Sequence, residues 1–108
     1  MPRAATTLDT FNAVAEPKRR ELLEALAESE EMPVTTIVAR LGWPQPMVSK
    51  HLGVLKEVGL VTARRDGRQR LYKINGEKLK TIYDWARMFE RFWAHQLLRI
   101  KERAERKN

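Results

Sequence analysis

A mostly helical chain with one small β-hairpin is the fold class this sequence predicts, and three stretches predict it. Val48, Leu52 and Leu55 recur at helical spacing, so a helix running from Gln45 or Pro46 to Val58 has one apolar side, while Pro46, Lys50, Gly53 and Glu57 point the other way. A shorter helical pattern from Thr35 to Leu41 precedes it across the turn Gly42-Trp43-Pro44. A hairpin follows, with Asp66-Gly67 as a two-residue turn between strands rich in arginine. Helix, turn, helix and basic hairpin together describe a winged helix-turn-helix, with five helices in all.

The 108 residues suit a single domain with one modest core, and 43% hydrophobic residues fit a globular chain. Cysteine is absent, which excludes disulfides and thiolate metal sites. No unbroken apolar run approaches the length of a membrane span, and residues 1–7 hold no signal-peptide core, so a soluble cytoplasmic protein without membrane contact is expected. The net charge of +7 is unevenly placed. Residues 1–60 carry seven Lys/Arg against eight Asp/Glu, whereas residues 61–75 carry five against one. A cationic hairpin on a near-neutral body favours binding to a polyanion.

Taken in order, Leu8, Phe11, Val14 and Ala15 fall at helical spacing and predict a short amphipathic helix over 8–15. Pro17 opens the next, since a missing N–H is harmless in a first turn, and Leu22, Leu23 and Leu26 give it a core stripe. Lys18, Arg19 and Arg20 oppose the dipole of that first turn; a solvated basic turn and a phosphate contact both account for them. Thr35 is the expected cap of the third helix, and Gly42 its stop. Trp43 fills the turn as a packing plug. The helix-turn-helix spans 34–58 and the hairpin 60–75. Strands Leu60–Arg65 and Arg68–Ile74 across Asp66-Gly67 set Arg65 opposite Arg68, a like-charge pair that costs stability unless an anion neutralises it.

Residues 77–105 predict one long helix of roughly 40 Å. Leu79, Ile82, Ala86, Phe89, Trp93 and Ile100 line its apolar seam, and Tyr83, Trp85, Phe92 and Leu97 widen the stripe beyond one contact surface. A domain this small cannot cover such a helix. A homodimer joined by the first and last helices is therefore expected, with Leu8, Phe11 and Trp85 beside the seam.

Three runs carry a family resemblance. They are Glu16-Pro17-Lys18-Arg19-Arg20-Glu21-Leu22-Leu23; Ser49-Lys50-His51-Leu52, continued by Leu55 and Gly59-Leu60-Val61; and Arg65-Asp66-Gly67-Arg68-Gln69-Arg70-Leu71-Tyr72. In order and spacing, over residues 8–100, the chain resembles the ArsR/SmtB family of bacterial winged-helix repressors. The resemblance implies a homodimer on an inverted-repeat operator, with the second helix of the motif in the major groove and the wing along the backbone or in the minor groove. Many members of that family bind metals, and here the ligand pattern fails. The cysteines are missing, Ala86 stands where the terminal-helix site places a His after Asp84, and His51 and His95 are the only histidines. The chain resembles the metal-independent branch, where Trp85 and the Phe92-Trp93 pair are familiar features.

The expected partners are double-stranded DNA and a second copy of the chain, with no cofactor. Gln45, Pro46, Met47, Ser49 and Lys50 are expected to face the major groove, where Gln pairs with adenine and Lys reaches guanine. Ser49 and His51 are placed at phosphates, and Arg64, Arg65, Arg68 and Arg70 along the wing. Met47 and Gly53 depart from the family pattern, as does Pro44, which cannot cap with a side chain. An enzyme is excluded: Ser49 and His51 lie about 200° apart on a helix and cannot act as nucleophile and base. Two alternatives remain. One is a repressor released by an apolar molecule held among the terminal-helix aromatics; the other is a protein-interaction module on the winged fold.

Overall fold

The computed structural model describes residues 9–106. Helices α1 (Thr10–Ala15) and α2 (Pro17–Leu26) are followed by a short strand β1 (Met32–Pro33). Helices α3 (Val34–Leu41) and α4 (Gln45–Glu57) form the helix-turn-helix, strands β2 (Val61–Asp66) and β3 (Gln69–Ile74) the hairpin, and α5 (Gly76–Arg87) and α6 (Glu90–Arg106) the C-terminal part. The three strands make one antiparallel sheet in the order β1-β3-β2. Leu22 and Leu26 of α2, Ile37 of α3, and Val48, Leu52 and Leu55 of α4 meet Met32, Leu60 and Val61 in one core. The apolar stripe read in α4 is that helix's buried side.

Local chemistry fixes the element ends. Asp9 caps α1 by accepting the Asn12 N–H at 2.8 Å, and Glu16 caps α2 through the Lys18 N–H. Leu8, expected inside the first helix, lies outside the described residues. Gly42 takes the left-handed backbone, φ 71°, that ends α3 and admits few other residues. Asn75 ties the exit of the hairpin to that of α4, donating its backbone N–H to the Leu60 carbonyl and its side-chain amide to that of Gly59.

Four expectations are corrected. Thr35 is not the cap of α3: the helix begins one residue earlier, with Pro33 at the cap position and no side-chain cap bond. The hairpin turn is Gly67-Arg68, one residue later than expected, because Asp66 still pairs with Gln69 and Gly67 takes φ 65° at the first turn position. Arg65 therefore faces Arg70, not Arg68, and Arg64 faces Leu71. A third strand, β1, joins β3 through Met32↔Tyr72 and Pro33↔Leu71; its Pro sits on the sheet edge, where a missing donor is tolerated.

The fourth correction concerns the long terminal helix, which is two, making six helices where five were expected. At Met88 and Phe89 the backbone N–H groups bond three residues back, to Trp85 and Ala86, before the four-back pattern resumes with Trp93 to Phe89. The helix tightens by one turn without leaving right-handed geometry. Neither Pro nor Gly marks the place.

Lys18, Arg19 and Arg20 fit neither reading offered for them. Arg19 donates from Nε to the Ala13 carbonyl at 2.6 Å, and Arg20 from Nη1 to that of Val14 at 2.7 Å. Both satisfy open carbonyls at the end of α1, where cations are favoured. Lys18 lies over the Trp43 ring, 4.6 Å from its centroid.

Candidate nucleic-acid interface

Burying Val48, Leu52 and Leu55 turns the opposite side of α4 outward. Gln45, Ser49, Gly53 and Lys56 follow one another along it at helical spacing and form one wall of an open groove of about 840 Å³. The wing supplies the other wall through Arg68, Gln69, Arg70 and Tyr72, while Pro33, Val34 and Thr35 close the end. Pro46 and Lys50 are exposed beside this face, and Met47 is half-buried at its margin. Three cations, Lys56, Arg68 and Arg70, face the groove against the single carboxylate of Glu57.

Strand alternation sorts the wing. Buried Val61 and Tyr72 place residues 61, 63 and 65 of β2, and 70, 72 and 74 of β3, on the inward face. Arg65 and Arg70 are thus paired on the side that faces α4, with Arg68 at the turn. Arg64 falls on the outer face. Its guanidinium donates from Nε to Glu31 Oε2 at 2.7 Å and from Nη2 to Glu31 Oε1 at 2.9 Å. The Arg64 hydrogen bond holds the Glu31 carboxyl below its usual range, and the same bond raises Arg64.

His51 stands off the groove. Its ring packs edge-on against Trp43, with centroids 6.4 Å apart, and its Nδ1 is buried with no hydrogen-bond partner. Burial lowers the imidazole pKa; Arg19 adds to that shift and Glu16 opposes it. Lys56, Gln69 and Thr35 line the groove but escaped the sequence reading. Lys56 was within reach, because it continues the Gln45, Ser49, Gly53 row.

The residues expected at a dimer contact divide in two. Leu79 packs against the core, and Ile82 and Ala86 are half-buried. Phe11, Trp85, Phe89, Trp93 and Ile100 are exposed. Phe11 meets Trp85 edge-on at 5.6 Å and Trp85 meets Phe89 at 5.2 Å, an aromatic row from α1 along α5 to the tightened turn. Among the described residues, no three His, Asp or Glu side chains gather as a metal-ligand group, and no helix is long and apolar enough to cross a membrane.

Comparison with known proteins adds three findings. Residues 14–64 match the helix-turn-helix domain family. The chain is 37% identical over 82 residues to an uncharacterized HTH-type transcriptional regulator of Methanocaldococcus jannaschii, covering 76% of this chain and 92% of that one. It is also 39% identical over 74 residues to the HTH-type transcriptional repressor SmtB of Mycobacterium tuberculosis, covering 68% of this chain and 54% of that one. Among solved structures, the homodimeric winged helix-turn-helix DNA-binding domain of a possible ArsR-family regulator from Mycobacterium bovis superposes with a TM-score of 0.60 at 32% identity. That match covers 73% of this chain and 72% of the other.

Proposed function

Because the chain belongs to the ArsR/SmtB family of winged helix-turn-helix transcriptional regulators, we propose that it acts as a homodimeric repressor on an inverted-repeat operator, without a metal effector. The family is one of non-enzymatic DNA-binding proteins. The observation that carries the finer reading is the groove between the outward side of α4 and the inward arginines of the wing. Gln45, Pro46, Met47, Ser49 and Lys50 belong to the major groove in this reading, while Arg65, Arg68 and Arg70 take phosphates. Pro46 fits its place, since at the second position of α4 its missing N–H would have lacked an intrahelical acceptor anyway.

Support for a homodimer comes from the aromatic row and from the dimeric M. bovis domain. Two copies joined along α1, α5 and α6 present two α4 helices about one DNA turn apart, and a dimer seated over a promoter excludes polymerase. Freedom from a metal effector rests on the donor set, which has no cysteine and two histidines, one packed on Trp43.

The test is a salt-dependent binding titration against the DNA upstream of the protein's own coding sequence and a scrambled control, with and without chelator. Selective binding indifferent to chelator is the expected result. Equal affinity for both DNAs contradicts operator recognition at that site, and loss of binding with chelator contradicts metal independence.

A further inference from the structure

We infer that Glu31 and Arg64 form a strap that sets the angle of the wing against α4, so that Arg64 positions the wing while Arg65, Arg68 and Arg70 meet phosphate. This rests on the DNA-binding reading above and assigns the wing's residues separate roles within it.

The sheet makes a strap useful. β1 is two residues long and pairs only with β3, at Met32↔Tyr72 and Pro33↔Leu71. Beyond those pairs the hairpin is a two-stranded ribbon out to Gly67, and β2 is the sheet edge on the side away from β1. Two-stranded ribbons vary most in twist. Glu31 precedes β1 and its carboxylate reaches over the middle strand to Arg64 on β2, a partner 33 residues away. The contact links the first and third strands directly, across β3.

Its geometry is specific. Two parallel N–H···O bonds between a planar guanidinium and a carboxylate fix orientation as well as distance. The pair is exposed enough that its contribution to fold stability is small, so its main consequence is where the ribbon points. Its charge is balanced as well, because Glu31 neutralises Arg64 at contact distance. Lys73, on the same outer face, adds a further cation near Glu31. The inward face holds Arg65 and Arg70 with no such partner among the described salt bridges.

The sign of one substitution separates this role from a phosphate contact. Glu31→Ala frees a cation and raises the net charge. If Arg64 met DNA, that variant would bind more tightly. With a strap, both Glu31→Ala and Arg64→Ala weaken binding to the preferred DNA by about threefold or more, and Arg64→Ala leaves the salt slope unchanged. The exchanged pair Glu31→Arg with Arg64→Glu restores affinity. Tighter binding by Glu31→Ala, a slope lowered by about 0.9 in Arg64→Ala, or failure of the exchanged pair overturns the strap.

A second measurement is independent of DNA. The chain has no cysteine, so spin labels at Asp66→Cys and Glu24→Cys give one distance from wing to body in the free protein. Glu31→Ala is expected to shift or broaden that distance at an unchanged melting temperature. An unchanged distribution overturns the strap even if DNA binding stands, whereas a shifted one beside unselective DNA binding upholds the strap and counts against the operator reading.

Discussion

Gly53 sits mid-helix on the outward side of α4 with ordinary helical backbone, and a Cβ built there meets nothing within 4 Å. The fold itself has no need of glycine there, and alanine stabilises a helix interior by about 1 kcal/mol. Gly53→Ala is expected to raise the melting temperature yet weaken DNA binding several-fold, because the missing side chain lets DNA approach the helix backbone. A titration beside a thermal melt decides it; unchanged affinity removes Gly53 from the interface. His51 supplies a second prediction at this scale. Burial lowers its folded pKa, so below the ordinary histidine value of about 6.5 the unfolded chain takes up a proton that the folded chain refuses. Stability is full above that pH and falls as pH drops from there through the lower folded value. His51→Gln should flatten the loss between pH 7 and 5 in denaturation midpoints, and an identical pH profile in the variant contradicts the assignment. Burial of Nδ1 against Trp43 was not visible in the sequence, where His51 shared a motif with Ser49 and nothing marked it as turned toward the body.

At the scale of elements, α4 and the wing divide their tasks. Arg68→Ala with Arg70→Ala is expected to weaken binding to all DNA and to lower the salt slope by about 1.8, two phosphate contacts' worth. Lys50→Ala is expected to change sequence preference more than slope, and titrations of both variants over a salt series distinguish them. Equal effects from the two contradict the division. The apolar rows of α2 and α4 were legible because their periodicity is the burial itself. The hairpin was legible as an element and misplaced by one residue in its turn, since Asp-Gly commonly occupies a turn centre while here Asp66 remains in the ladder opposite Gln69. β1 escaped because two residues carry no period. The tightened turn at Met88-Phe89 escaped because no breaker occupies it.

The whole molecule is more extended than its length requires. A compact chain of this size has a radius of gyration of about 13 Å, against 18.1 Å here. The excess fits α6, which carries Phe92, Trp93, Leu97 and Ile100 exposed. With Trp85 and Phe89 these form more apolar surface than a monomer ordinarily shows to water. Their number was legible as a stripe too wide for one core, and that width is the physical ground for the proposed dimer. Trp93→Asp is expected to yield folded monomers in light scattering and to lose most operator affinity; a variant that stays dimeric contradicts the interface. The most direct test of the central claim is a hydroxyl-radical footprint on the upstream DNA. Two symmetric protected patches about one helical turn apart, lost together in Trp93→Asp, are the predicted result. A single protected patch, or uniform protection along the DNA, would contradict a dimeric reader of an inverted repeat.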